Sequence, residues 1–423
     1  MQRAVAVPAV ALASLLALSG CSTTEPGSGA HVAVKPDSLT TDFGVTPGEI
    51  VLGTLTDYSG PFSDLSRGAV HGHQVWINET NAAGGICGRK VKLEIRDHQD
   101  NLGTARTQYA ALEPEVLGFM QIAGSSVTAA LSQSMIDNET TVIALSNSSA
   151  LLSNPYVIIP ATTYDVEMIN GLSFLMQQDR IRPGGTIGHI WLDGDYGANG
   201  LRGAQYFAQR HNLTVRDVKV TATEPDMRNI MTRFTGEPRV TAIALSTTPE
   251  QTASAATVNQ QLGLNVPMIG NSPALTPKLL TGPDARAVSN LSVVASSVPF
   301  TSDVPKAQHV AGAYQQAGYQ ELPNSGVPYG YAIGEVWGQL LERACTNGNM
   351  SRAGIQEALR QVTTITTEKL TADLNFAKPG APAAREVSVG VPDIGVPGRL
   401  RQVTPPFMAP EALAYVAPHQ SGG

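Results

Sequence analysis

The sequence predicts an α/β protein of two lobes, each built on a parallel sheet with helices on both faces. From residue 50 onward, short apolar runs typical of buried parallel strands alternate with segments of helical periodicity. With 423 residues, of which 42% are hydrophobic, the chain is long enough for more than one domain. A single sheet rarely contains this many strands, so we expect two lobes joined by several hinge crossings.

The predicted elements follow one another in a regular β-then-α order. Strands are predicted at 50–55, 91–97, 119–123, 142–145, 157–159, 186–191, 213–220, 240–245, 267–272, 291–295 and 387–389. Helices are predicted at 67–81, 104–112, 127–138, 165–178, 198–211, 226–234, 249–262, 304–317, 330–344 and 351–362. We assign residues 49–162 and 296–368 to lobe 1, residues 163–295 and 369–400 to lobe 2, and residues 401–423 to a proline-rich tail.

The first 21 residues have the layout of an export signal. A short basic start is followed by an apolar run, residues 4–18, that is too short for a comfortable membrane span. The run ends in Leu18-Ser19-Gly20-Cys21, which resembles a bacterial lipobox, so Cys21 is the expected lipidation site. The alternative is a signal that is cleaved elsewhere near residue 21. Residues 22–48, rich in Ser, Thr, Pro and Gly, are expected to form a flexible tether to the membrane.

Charge and cysteine content restrict the function further. The net charge is −7 and there is no basic cluster, so nucleic acid is not an expected partner. Cys87 and Cys345 remain once Cys21 carries lipid. An even pair in an oxidising compartment favours a disulfide over two free thiols. No cysteine–histidine cluster indicates a metal, and no cofactor motif occurs.

Serines follow two successive predicted strands. Gly124-Ser125-Ser126 comes after the strand at 119–123, and Ser146-Asn147-Ser148 comes after the strand at 142–145. Ser125 or Ser126 occupies an expected N-cap position, where free backbone N–H groups favour an anion such as a carboxylate. The alternative is that these serines only cap helices and complete turns.

Other polar loops also follow strands of both lobes. In open α/β sheets ligands bind beyond the carboxyl ends of the strands, so these loops indicate a cleft between the lobes. The loops carry Asp57, Tyr58, Tyr196, Thr247 and Ser272.

The order and spacing of these motifs resemble type I periplasmic binding proteins, specifically the leucine/isoleucine/valine-binding receptors of ABC transporters. The segments that carry the resemblance are 53–61, 81–86, 124–126 and 195–197, together with the lipobox. The resemblance covers residues 48–390 and implies two Rossmann-like lobes that close on a small-molecule ligand, and a permease as partner. It also implies that Ser125, Ser146 and Ser148 hold a ligand carboxylate and that Tyr196 closes over it.

One loop departs from that family. Its amino-acid receptors bring a carboxylate to the ligand ammonium from the second lobe, whereas the matching loop 269–272 has none. A buried ammonium without a counter-charge is costly, so a carboxylate, amide, polyol or other small polar solute is as compatible as an amino acid. Asp57, Asp193 and Glu335 are candidates for a replacement charge.

The sequence therefore predicts a lipid-anchored, extracytoplasmic solute-binding protein of an ABC importer rather than an enzyme. Two alternatives remain open. One is a lipoprotein that senses a ligand and signals to a membrane kinase. The other is a secreted lipoprotein enzyme, for which the sequence offers no nucleophile–base pair or metal cluster.

Overall fold

The computed structural model of the protein describes residues 39–420 and contains two large β-sheets. The strands are β1 Thr40–Thr41, β2 Glu49–Thr56, β3 Lys90–Asp97, β4 Gly118–Ala123, β5 Val142–Leu145, β6 Val157–Ile158, β7 Thr186–Leu192, β8 Thr214–Val220, β9 Val240–Ser246, β10 Met268–Gly270, β11 Leu291–Ala295, β12 Asn349–Met350, β13 Thr364–Ile365, β14 Leu374–Asn375, β15 Ser388–Pro392 and β16 Leu400–Gln402. The α-helices are α1 Ser63–Ala82, α2 Leu102–Leu112, α3 Ser125–Ala130, α4 Ser132–Asp137, α5 Tyr164–Gln177, α6 Asp195–Arg210, α7 Arg228–Thr232, α8 Pro249–Gln261, α9 Pro305–Gln316, α10 Gly326–Thr346, α11 Arg352–Gln361 and α12 Pro410–Ala414.

One half of the molecule, which we call the first half, consists of β2–β6 with helices α1–α4 and α9–α11. It contains a five-stranded parallel sheet in the order β3–β2–β4–β5–β6. Helices α1, α9, α10 and α11 pack on one face and α2, α3 and α4 on the other. The second half contains a seven-stranded sheet in the order β16–β15–β11–β10–β9–β7–β8. Five of its strands run parallel, while β15 and β16 pair antiparallel at one edge. The prediction of an α/β fold with two parallel sheets is therefore confirmed.

Close packing of α1 against α10 fixes one wall of the space between the two halves. A Cβ on Gly72 would lie 2.1 Å from the Val327 carbonyl oxygen, and one on Gly330 would lie 2.0 Å from that of Ala69. Only glycine allows this approach, which brings the N-termini of both helices to the same edge of the sheet.

The chain passes between the two halves three times. It leaves the first half after β6 to begin α5, returns between β11 and α9, and crosses again before β15. An antiparallel bridge between Ser297 and Thr371 ties two of these connections together. Cys87, after α1, and Cys345, near the end of α10, are joined by a disulfide with their Cα atoms 6.0 Å apart.

Part of the flexible tether predicted at residues 22–48 is folded. Strand β1 pairs in parallel with β12, and the Asp42 carboxylate accepts hydrogen bonds from the Arg352 backbone N–H at 3.1 Å. Residues 40–48 are therefore part of the folded structure, because their backbone groups find partners there. The expected signal peptide, Cys21 and the remainder of the tether lie outside the described residues.

The prediction of a proline-rich tail at 401–423 is also wrong for the part that the structure describes. Strand β16 extends the second sheet, and α12 packs against α5. Ala412 and Tyr415 are buried there, and the Arg385 guanidinium donates to the carbonyl oxygens of both residues, at 2.6 and 2.9 Å. Buried apolar surface and paired carbonyls hold this segment in place despite its prolines.

Candidate functional site

A cavity of about 100 Å³ lies between the two halves, beyond the carboxyl ends of β2, β4 and β5. We call it the inner cavity. Both halves contribute to its wall, as predicted for a cleft. The lining residues are Asp57, Phe62, Leu65, Ser66, Asp100, Ala123, Gly124, Ser125, Leu145, Ser146, Asn147, Tyr164, Tyr196, Ser272, Pro273, Ser296, Ser297, Ser325, Gly326 and Tyr329.

Hydroxyl groups from adjacent strands meet at one end of the inner cavity. Ser125, after β4, and Ser146, after β5, have their Oγ atoms 2.6 Å apart. The hydroxyl of Tyr164 adjoins both serines, and burial raises its pKa, so it remains a donor. The residue that caps α3 is Gly124 rather than a serine, because the turn from β4 into the helix needs a φ of 88°.

The two halves touch across the inner cavity. The Tyr196 ring, at the start of α6, packs edge-on against Tyr164 at 4.8 Å and against Phe62 of the first half at 6.0 Å. Beside it, a Cβ on Gly194 would lie 2.6 Å from the Ser126 Oγ. The structure is therefore a closed arrangement in which Tyr196 covers the cavity.

Tyr329, which is absent from the sequence prediction, also lines the inner cavity. Tyr329, in α10, donates its hydroxyl to the Asn147 Oδ1 at 2.9 Å. Asn147 in turn donates to the Ser296 Oγ at 3.2 Å. In the sequence Tyr329 directly precedes the helix predicted at 330–344, whereas the observed helix begins at Gly326, so the pattern did not mark Tyr329 as a cavity residue.

The sequence prediction missed the carboxylate beside Ser272. The loop after β10 has none, but Glu167 of α5 reaches it from 105 residues earlier in the chain. Its Oε1 accepts from the Ser272 Oγ at 2.9 Å, and its Oε2 accepts from the Ser272 N–H at 3.1 Å and the Asn271 amide at 2.9 Å. Glu167 is fully buried, and the loss of hydration raises its pKa to about 7.

The other candidates for a replacement charge have different surroundings. Asp193 pairs with Lys219 at 3.4 Å and Glu335 with Lys306 at 3.8 Å, and neither lines the inner cavity. Asp57 does line it, but its carboxylate accepts from the backbone N–H groups of the following loop, at 2.5 Å from Gly60.

Two further features describe the charge of the inner cavity. Asp100, at its edge, has its pKa raised to about 6 by burial and by the nearby Asp57 carboxylate. Among the described residues that line the cavity there is no Lys, Arg or His. Positive charge on the protein is therefore absent from this wall.

Five of the nine predicted ligand-binding residues line the inner cavity: Asp57, Ser125, Ser146, Tyr196 and Ser272. The other four do not, and each has another contact.

Ser126 is exposed beside Gly194. Ser148 is buried and donates to the Asp195 carbonyl oxygen at 3.5 Å. Thr247 is buried and bonded to Thr252 at 2.9 Å.

The fourth, Tyr58, lies outside the inner cavity. Its backbone N–H donates to the Asp97 carboxylate at 3.0 Å, and its carbonyl oxygen accepts from Arg67.

Comparison with known proteins decides the family. The sequence profile of a family described as "Periplasmic binding protein" matches residues 49–391. The chain belongs to the periplasmic binding protein family. The predicted type I fold is thereby confirmed, and the family indicates an extracytoplasmic location and a small-molecule ligand.

Solved structures of other periplasmic binding proteins are similar throughout. A fatty acid ABC transporter substrate-binding protein from Thermomonospora curvata is 32% identical, with a TM-score of 0.87, 90% of this chain covered and 98% of the other. A branched-chain amino acid ABC transporter protein from Thermus thermophilus with bound valine is 16% identical, with a TM-score of 0.72 and coverage of 86% and 98%. A branched-chain amino acid receptor from Streptococcus pneumoniae in complex with isoleucine is 17% identical, with a TM-score of 0.69 and coverage of 84% and 100%. No curated protein sequence matches this periplasmic binding protein.

Proposed function

We propose that this periplasmic binding protein delivers a small organic acid with an apolar chain to an ABC importer, and that the apolar chain occupies the inner cavity. The observation that carries the proposal is the way in which the polar groups of the wall pair with one another. Ser125 pairs with Ser146, Tyr329 with Asn147, and Ser272 with Glu167. Since these groups already form hydrogen bonds with one another, the wall presents mostly carbon, from residues such as Phe62, Leu65, Ala123 and Leu145.

The Thermomonospora relative supports this ligand class, since it is named as a fatty acid receptor and is 32% identical. A cavity that closes between two halves also fits a receptor for a transporter, because the ligand can contact both halves only in the closed state. The partner permease would then recognise that closed state.

A second candidate ligand is an amino acid. Asp57, Asp100 and Glu167 place carboxylates in or beside a cavity that has no lining cation. An ammonium group would compensate this charge, whereas a carboxylate deep in the inner cavity would be repelled by it.

A thermal-shift screen of the full chain distinguishes the candidates. The compounds are octanoate, octanol, succinate, glycerol, L-leucine and L-valine. A ligand at about one hundred times its Kd adds about 2.7 kcal/mol to the free energy of unfolding, which a melting curve resolves. We expect a shift with octanoate; a shift with leucine or valine alone would favour the amino acid, and no shift with any compound would contradict both ligand classes.

We also propose that lipid on Cys21 anchors the protein to the membrane, as the Leu18–Cys21 motif indicates. Metabolic labelling with an alkyne fatty acid should label the wild type and not Cys21→Ala. Equal labelling of both would contradict the assignment.

A further inference from the structure

A second cavity is lined by residues from the same chain segments as the inner cavity. This outer cavity has a volume of about 300 Å³. It is lined by Asp64, Arg67, Gly68, His71, Pro277, Lys278, Tyr314, Glu321, Leu322 and Asn324.

Three chain segments line both cavities. In α1, Leu65 and Ser66 line the inner cavity while Arg67 lines the outer one. The segments 321–326 and 272–278 contribute in the same way. Asp64 and Gly68 of the same helix also line the outer cavity, so residues of the two linings alternate along the first turns of α1. Both cavities therefore lie on one seam, with the first half on one side and segment 272–278 of the second half on the other.

Basic groups from both halves converge on the outer cavity. Arg67 and His71 are four residues apart on α1, so they share a face of that helix. Lys278 enters from the second half. In the described part of the chain, neither Arg67 nor Lys278 forms an ion pair. The Arg67 guanidinium donates to the Tyr58 carbonyl oxygen, which holds one end of the group and leaves other N–H donors to a ligand.

His71, which lines the outer cavity, has one buried ring nitrogen without a partner among the described residues. Within residues 39–420, the His71 Nδ1 is buried and has no hydrogen-bond partner. The His71 ring stacks on Tyr319 at 3.9 Å, and Tyr314 lies 5.8 Å from it. Since this nitrogen is inaccessible, His71 contributes its stacked ring to the wall, and the contacts to a ligand fall to Arg67 and Lys278.

We propose that the outer cavity is a carboxylate subsite, which holds the charged end of an elongated ligand whose apolar chain lies in the inner cavity. This proposal rests on the proposed function and gives the ligand an orientation. The inner cavity has no cation and has Asp57 and Asp100 in its wall, whereas the outer cavity supplies Arg67 and Lys278. A monoanion therefore lies with its carboxylate outward and its chain inward.

Two carboxylates also line the outer cavity, and their negative charge opposes the binding of an anion. Asp64 lies one turn before Arg67 on α1, and Glu321 is exposed at the rim. They disfavour a ligand with several negative charges and leave room for one carboxylate, which Arg67 and Lys278 can contact from opposite sides. An amine at the far end of the ligand would instead select Asp64 and Glu321.

The test is titration calorimetry of the full chain with octanoate, octanol and octylamine. Lys278→Gln removes an exposed charge without altering a described side-chain contact, and Lys378→Gln, at an exposed lysine elsewhere, is the matched control. We expect Lys278→Gln to weaken octanoate binding about two- to fivefold, as for a partly exposed ion pair. The double variant with Arg67→Gln should lose more than about tenfold, since charged hydrogen bonds are stronger. Octanol affinity should remain within about twofold in every variant.

Each other outcome overturns the proposal. Unchanged octanoate affinity in the double variant would remove the subsite while leaving the proposed function intact. Tighter binding of octylamine than of octanoate would assign the outer cavity to an amine. If none of the three probes binds, the subsite and the apolar-acid function fail together, and the amino acid candidate remains.

Discussion

Replacing Glu167 by Gln removes a buried charge while keeping its hydrogen bonds. The glutamine amide oxygen can accept from the Ser272 N–H and the Asn271 amide, as the Glu167 Oε2 does. Its amide nitrogen can donate to the Ser272 hydroxyl, which reverses its role. The variant therefore isolates the effect of charge from that of lost contacts.

The size of the effect follows from the pKa of Glu167. Burial raises that pKa from 4.5 to about 7, so the folded protein retains a proton that the unfolded chain has released in this interval. The resulting stability is fully present below pH 4.5 and is lost as the pH rises through 7. A difference of about 2.5 pH units corresponds to about 3 kcal/mol in the free energy of unfolding.

Urea unfolding of the wild type and Glu167→Gln at pH 4.5 and pH 8 measures this directly. Relative to the wild type, the variant should be more stable at pH 8 than at pH 4.5 by about 3 kcal/mol. Other titrating groups cancel in the difference because both proteins contain them. The same difference in stability at both pH values would refute the assignment of a buried, proton-linked carboxylate to Glu167.

Two further predictions use matched variants. Gly194→Ala should weaken octanoate binding about two- to tenfold, because in the closed state its new methyl group would lie 2.6 Å from the Ser126 Oγ of the other half. Gly184→Ala, also at a positive φ (85° against 115°), meets no neighbouring atom and should leave the affinity unchanged. Equal affinity losses measured by calorimetry would contradict this. Tyr415→Phe should lower the free energy of unfolding in urea by about 1.5–3 kcal/mol, since it removes a 2.9 Å hydrogen bond to the buried Asp165 carboxylate. Tyr206→Phe removes a buried hydroxyl without a partner in the described residues and should change it by less than about 0.5 kcal/mol; a larger loss than for Tyr415→Phe would show that the Asp165 contact is not responsible.

The alternation of strand and helix was readable from the sequence because it depends on local periodicity. The same is true of polar loops such as the one at Ser125, which follow apolar runs and reach the cavity. The role of Glu167 could not be predicted from the sequence, because it depends on a contact with Ser272 that forms only in the folded chain. The packing of residues 403–420 was missed for a related reason: prolines suggested a tail, whereas buried side chains such as Tyr415 find their partners in α5.

The central claim, an apolar chain in the inner cavity, is tested most directly by a crystal structure of the protein with 8-bromooctanoate. Anomalous scattering from bromine locates the end of the chain without depending on the remainder of the ligand density. The account predicts a bromine peak among Phe62, Leu65 and Tyr329, with the carboxylate at Arg67 and Lys278. A bromine peak outside the inner cavity, or no peak at a ligand concentration that saturates binding in solution, would contradict it.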